Sequence, residues 1–121
     1  MARILIVDDA ETQITPIIQT LERLGHDVLT APDGESGVRS TKENMPDLVL
    51  MDIVMPGLNG FQATRAITHD PETQHIPVVL ISTKDQETDK VWGSRQGAKG
   101  YLVKPITEEL LNKTLEQFLP S

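Results

Sequence analysis

The sequence contains no cysteine, which excludes a disulfide framework and a thiolate metal site. It also has no long hydrophobic run. The opening stretch Met1-Ala2-Arg3-Ile4-Leu5-Ile6-Val7 carries one positive charge, but its apolar run stops after four residues, at Asp8. A secretory leader needs a longer run, and a membrane span needs about 20 apolar residues. The chain is therefore expected to be cytoplasmic, with no membrane insertion. Basic residues are in deficit: 11 Lys and Arg against 18 Asp and Glu give a net charge of −7. Phosphate backbones are bound by basic surfaces, so nucleic acid is not an expected partner. There is no low-complexity segment and no internal repeat. What remains is a chain of 121 residues, 38% hydrophobic and 24% charged. That is enough for one sizeable core and not for two, so a single domain over 1–121 is expected.

Short apolar runs at 4–7, 28–31, 48–51, 78–81 and 101–103 alternate with longer mixed segments. The runs are mostly rich in Val, Ile and Leu without alternation, as strands buried on both faces read. The segments between them are long enough to return as helices. Ile14, Ile17, Ile18, Leu21 and Leu24 form a stripe at helical spacing, stopped by Gly25. Pro16 is expected in the first turn of that helix, since deeper in it would cause a kink. A poorly patterned second helix is placed at about 35–44. Thr107 is a candidate cap for the last helix, with Ile106 and Leu111 as its hydrophobic staple, and Leu110, Leu111, Leu115 and Phe118 as its buried face. The order is (βα) five times over, which predicts an α/β fold: a doubly wound, five-stranded parallel sheet with helices on both faces.

The polar residues of interest fall where the strands end. Asp8 and Asp9 follow the first, Asp52 the third, Ser82 the fourth and Lys104 the fifth. Ligands of open α/β sheets bind outside the carboxyl ends of the strands, at the switch in strand order. With the order 2-1-3-4-5, strands one and three are neighbours about 4.8 Å apart, and Asp8, Asp9 and Asp52 converge. Such carboxylates repel unless a cation sits among them; a hard, oxygen-seeking divalent ion fits, Mg²⁺ first. Each piece has an ordinary reading alone: Asp8-Asp9 or Ser82-Thr83 as helix caps, Lys104-Pro105 as a turn. The inference rests on four strand ends carrying a complementary set together. His26, His69 and His75 fit no metal or catalytic spacing and read as surface residues.

These elements resemble the receiver domain of two-component response regulators over the whole chain. The matching motifs are Ile4-Leu5-Ile6-Val7-Asp8-Asp9, Leu50-Met51-Asp52-Ile53-Val54-Met55-Pro56-Gly57-Leu58-Asn59-Gly60, Ile76-Pro77-Val78 running on to Ser82, Gly97-Ala98 and Lys104-Pro105. The resemblance implies a flavodoxin-like fold and a phosphoacceptor at Asp52. It implies Mg²⁺ bound by Asp9, Asp52 and the Val54 backbone carbonyl, with Asp8 helping largely through water. Ser82 and Lys104 would contact the phosphoryl oxygens, and Lys104-Pro105 would be a cis peptide. Tyr101 and Trp92 would belong to the switch and the partner surface. Ala10 stands where the family motif often has Ser, outside the phosphorylation chemistry. Within the family, 51–65 and 83–93 are most similar to single-domain, chemotaxis-like regulators of type IV pilus twitching motility. The implied partners are a histidine kinase (CheA-like) or its phosphotransfer domain, and a downstream motility or pilus protein, with the regulator itself a monomer.

Phosphoryl transfer suits these residue types. A carboxylate is the nucleophile, and the rest of the work is positioning and charge neutralisation. A Mg²⁺-dependent aspartyl phosphatase of the haloacid-dehalogenase type uses a similar set. Its nucleophile, however, stands on the first strand in an Asp-x-Asp motif, whereas Asp8 and Asp9 are adjacent, and 121 residues leave no room for its cap domain. An atypical receiver serving only as a binding module would not need the full acidic, Ser and Lys set. A transcription factor would need a DNA-binding domain after Ser121. Output by protein contact, or use as a phosphate sink or relay, is what the sequence predicts instead.

Overall fold

The computed structural model describes residues 1–119. Ten elements alternate: β1 (Arg3–Val7), α1 (Glu11–Arg23), β2 (Asp27–Ala31), α2 (Gly34–Asn44), β3 (Leu48–Asp52), α3 (Gly60–Thr68), β4 (Val78–Ser82), α4 (Glu87–Arg95), β5 (Gly100–Val103) and α5 (Glu108–Phe118). The strands form one parallel sheet, as the alternation predicts, and its order is β2-β1-β3-β4-β5, the one assumed for the convergence of the strand ends. Successive side chains leave a strand on opposite faces, which divides the core in two. Ile4, Ile6, Leu48, Leu50, Val79 and Ile81 pack with Ile14, Ile17 and Leu21 of α1 and Leu111 and Leu115 of α5. Leu5, Val7, Val49, Met51, Val78 and Leu80 pack with Ala63 and Ile67 of α3.

Three expectations need correction. Full burial holds for β1 from Ile4 onward, for β3 and for β4, but β2 and β5 are edge strands and only part-buried, with Thr30 exposed. Pro16 lies in the second turn of α1, because the Ala10 carbonyl already accepts from the Gln13 and Ile14 N–H groups and starts the helix at Glu11. The N–H that Pro16 lacks would have bonded the carbonyl of Thr12, an exposed residue that solvent can reach. Leu24, placed on the buried stripe, is the exposed C-cap of α1.

Local chemistry explains the helix ends. Asp33 and Ser36 make a reciprocal capping box at α2, Asn59 and Gln62 another at α3, and Thr107 accepts from the Leu110 N–H at α5. The weak pattern of α2 reflects its buried face of Gly34, Gly37 and Thr41, small enough for close approach to β1; a Cβ on Gly37 would lie 2.7 Å from Val7 Cγ2. In α4 the one buried residue is Gly93, set against Leu80 and Phe61. Trp92, on the same helix, is half exposed.

Gly60 matters most for the site. A Cβ there would collide with the Asp52 carbonyl oxygen and lie 2.7 Å from Ile53 Cα, both backbone that cannot rotate away. Gly60→Ala is expected to cost about 2–3 kcal/mol, read by urea denaturation; a cost under about 0.5 kcal/mol would show that the loop after β3 yields freely. Thr64 on α3 is fully buried, and its hydroxyl has no hydrogen-bond partner among the described residues. Thr64→Val keeps the shape and removes that polar group, and is expected to stabilise the fold by about 1 kcal/mol in thermal denaturation.

Candidate functional site

Strand register brings the four strand ends together. Val7 lies beside Met51, so Asp8 is level with Asp52. Asp52 lies beside Ile81, which puts Ser82 one step further on, and Ser82 lies beside Val103, which puts Lys104 one step further again. The Lys104 N–H donates to the Ser82 carbonyl at 2.7 Å and fixes that last step, and the Lys104–Pro105 peptide is cis.

Asp8, Asp9 and Asp52 each offer a carboxylate oxygen, all within 4.8 Å of one another. Asp8 and Asp52 are buried and Asp9 is exposed. Asp8 is not a helix cap: it accepts from the Ala10 N–H at 2.8 Å, while α1 has no side-chain cap. The Lys104 ammonium lies 2.7 Å from Asp8 Oδ2 and 3.6 Å from Asp52 Oδ1, so its closer partner is Asp8. It also donates to Gln13 Oε1 at 2.8 Å. Burial, with the Asp8 charge, pushes the Asp52 carboxyl up to about 6; Lys104 opposes the rise and Asp9 adds to it. One ammonium among three carboxylates leaves excess negative charge in a small volume. An all-oxygen donor set of that kind suits a hard divalent cation.

Ser82 is buried, and its Oγ accepts from the Lys84 N–H at 3.0 Å. Since α4 starts at Glu87 with Gln86 as its N-cap, Ser82 and Thr83 do not cap it. The Lys84 carbonyl in turn accepts from the Tyr101 hydroxyl at 2.7 Å, so one residue joins Ser82 to Tyr101. Val54 is well exposed at the rim. Trp92 is remote from the carboxylates in sequence and stands on α4 with Arg95 over its ring, 5.9 Å from the centroid. His69 and His75 are exposed; His26 is half-buried, its Nδ1 accepting from the Ala2 N–H. Gln13 is the residue that sequence reasoning missed. It falls outside every motif, and only its place on the first turns of α1 aims it at Lys104. Beside it a groove of about 370 Å³, lined by Pro16, Ile17, Pro105 and Ile106 among others, opens along α1.

Among the described residues no helix is long and apolar enough to cross a membrane. The profile of the response regulator receiver domain matches residues 4–116. Protein PilH of Pseudomonas aeruginosa is 60% identical over 119 residues, 98% of each chain. The response regulator PleD of Caulobacter vibrioides is 40% identical over 110 residues, 91% of this chain and 24% of its own. Among solved structures, chemotaxis protein CheY4 of Vibrio cholerae superposes with a TM-score of 0.91 at 32% identity, covering 98% of this chain and 99% of that one. The receiver domain of a Pseudomonas aeruginosa sensor histidine kinase, solved with a magnesium ion coordinated in its active site cleft, superposes at 0.90 with 30% identity, covering 99% and 98%. With the profile spanning nearly the whole chain and a full-length relative at this identity, the protein belongs to the response regulator receiver domain family.

Proposed function

We propose that this protein is a single-domain response regulator, residues 1–121, that accepts a phosphoryl group on Asp52 from a histidine kinase or its phosphotransfer domain in a Mg²⁺-dependent reaction. It signals by protein contact in a chemotaxis-like system controlling type IV pilus twitching motility, as a cytoplasmic monomer. The observation that carries the chemistry is the convergence of Asp8, Asp9, Asp52 and Lys104 in one cleft. The motility setting rests on the likeness of 51–65 and 83–93 to such regulators and on the relative PilH. A phosphate sink, or a relay intermediate of another two-component system, uses the same site: a sink loses the phosphoryl group to water, and a relay hands it to a further phosphotransfer protein.

An Asp52 oxygen attacks phosphorus in line, and the bond to the histidine nitrogen or acyl oxygen of the donor breaks with its electron pair leaving on that atom. Lys104 offers a donor to one phosphoryl oxygen and the Ser82 hydroxyl donates to another. Asp9, Asp52 and the Val54 carbonyl would hold Mg²⁺, with Asp8 behind, and the ion would there supply charge neutralisation of the phosphoryl oxygens and mask their repulsion from the carboxylates. Incubation with acetyl phosphate and Mg²⁺ is expected to place one phosphoryl group on the chain, located at Asp52 by borohydride trapping and peptide mass spectrometry. Phosphate at another residue, or none, would overturn the reading.

Two further results are expected. By resemblance to the family, the residues two after Asp52 and two after Ser82, here Val54 and Lys84, border the path of the attacking water, and neither orients water as an Asn or Glu does. Val54→Asn with Lys84→Glu is expected to speed dephosphorylation roughly tenfold, followed by loss of label after donor removal; an unchanged or slower rate counts against the assignment. The second concerns output. Ser82 moving to donate to the phosphoryl group pulls on the Lys84 backbone and hence on Tyr101, and repacks the face formed by α4, β5 and α5. Mg²⁺ with beryllofluoride is expected to change Trp92 fluorescence, with the change absent in Asp52→Asn and smaller in Ser82→Ala. Flat fluorescence, with unmoved backbone NMR signals across residues 85–118, would place the output elsewhere.

A further inference from the structure

Lys104 is held by a residue outside the acidic cluster. An ammonium has three N–H donors and no acceptor. One goes to Asp8 Oδ2 at 2.7 Å and one to Gln13 Oε1 at 2.8 Å. The nearest Asp52 oxygen is 3.6 Å away, an ion pair beyond hydrogen-bond length. The third donor is therefore left on the side of Asp52 without being consumed by it. Gln13 is neutral, so it adds no charge to a site already rich in carboxylate, and its oxygen competes with none of the cation ligands. It comes from the first turns of α1, where the Gln13 N–H donates to the Ala10 carbonyl and fixes its backbone. Asp8 alone would leave the long Lys104 side chain free to turn about a single contact and collapse onto the bare Asp52 carboxylate.

We propose that Gln13 is a positioning residue for Lys104: its carbonyl oxygen and Asp8 together hold the ammonium so that one N–H stays available to a phosphoryl oxygen arriving at Asp52. The inference rests on the reading of Asp52 as acceptor and adds a residue that acts on the reaction only through Lys104. Two fixed contacts define the direction of the third donor, and a donor already aimed before the phosphoryl group arrives needs no reorganisation when charge develops.

The test uses Gln13→Met, which keeps the length and loses the acceptor, and Gln13→Glu, which keeps the acceptor. Gln13 is exposed, so both variants keep the fold. In metal-free protein, proton exchange at the Lys104 ammonium, followed by ¹⁵N NMR of the lysine Nζ, is expected to quicken roughly tenfold in Gln13→Met and to slow in Gln13→Glu, whose charged acceptor holds the ammonium more strongly. With Mg²⁺ and acetyl phosphate, the maximal rate of phosphorylation is expected to fall about tenfold in Gln13→Met with the half-saturating donor concentration little changed, and Gln13→Glu to recover the greater part. Equal ammonium exchange in all three proteins overturns the tether. Altered exchange with a wild-type phosphorylation rate overturns the positioning role. A wild-type protein that takes no phosphoryl group at Asp52 refutes the proposed function instead, and the NMR arm still decides whether Gln13 holds Lys104.

Discussion

Replacing Asp52 with Asn is expected to abolish phosphorylation and, in the same molecule, to make the metal-free protein more stable at neutral pH. The first effect follows from chemistry: an amide oxygen at that position is not a nucleophile for phosphorus, and neighbouring Asp8 is engaged by Lys104 and the Ala10 N–H. Residual labelling at the wild-type rate would place the acceptor elsewhere. The second effect follows from burial. The Asp52 carboxyl titrates at about 6 in the fold against an ordinary value of 3.8. Between those two pH values the folded chain holds a proton that the unfolded chain has released, so stability falls as pH rises from about 4 to about 6 and stays lower above that. After allowance for solvent screening, the loss is on the order of 1–2 kcal/mol. Asn carries no such charge. Urea denaturation without Mg²⁺ is expected to show Asp52→Asn above wild type at pH 7 by about that amount and much closer to it at pH 4. Equal gains at both pH values would mean that the benefit comes from packing rather than from the removed charge. Added Mg²⁺ stabilises whichever protein binds it, so it is expected to narrow the gap by acting on wild type.

Lys104→Met is the other large perturbation, and it runs in the opposite direction. The Lys104 side chain is 9% exposed and its Asp8 partner 0%. Removing the cation leaves two buried carboxylates facing each other without compensation, a change expected to cost about 3 kcal/mol in the metal-free fold. It also takes away the charge that holds the Asp52 carboxyl down, so the Asp52 titration followed by ¹³C NMR is expected to move further above 6. Phosphorylation is expected to slow roughly 100-fold, because a charge-assisted donor to the phosphoryl oxygens is lost while the nucleophile stays. A Lys104→Met variant as stable as wild type without Mg²⁺ would show that the acidic site is relieved by other means.

The two substitutions separate roles that the cleft combines. Both change the charge beside the phosphoryl position, yet one removes a buried negative group and the other the positive group that compensates for it. A double variant, Asp52→Asn with Lys104→Met, is expected to be less destabilised than Lys104→Met alone, since only Asp8 then lacks a partner. Thermal denaturation of the four proteins at pH 7 without Mg²⁺ closes that cycle.

The sheet was legible because its central strands are short runs of Val, Ile and Leu, each ending in a polar residue, and burial on both faces leaves little else that such runs can be. The fold class, the five parallel strands and the ends of β1, β3 and β4 followed from that alone, whereas the order β2-β1-β3-β4-β5 entered as an assumption that the structure bears out. Thr107 as the cap of α5 was equally plain, since a hydroxyl before an amphipathic stripe has a local partner three residues on. The helix α2 was hard to read because it packs through Gly37 rather than through large apolar side chains, and close approach of backbones leaves no hydrophobic period in the sequence. Pro16 misled for a related reason: its cost depends on whether the carbonyl it orphans faces water, which the sequence does not state.

The sequence by itself determined which chemical groups the protein owns and at which strand ends they stand: Asp8, Asp9, Asp52, Ser82 and Lys104, with no cysteine and an acidic net charge. Only the tertiary structure decided how those groups share charge. Lys104 sits nearer Asp8 than Asp52, the Asp52 carboxyl is raised to about 6, the Lys84 backbone links Ser82 to Tyr101, and Gln13 reaches in from α1. The reason is physical. Residue type is fixed along the chain, but electrostatic energy depends on distance and burial across it, and the contact between Gln13 and Lys104 spans 91 positions.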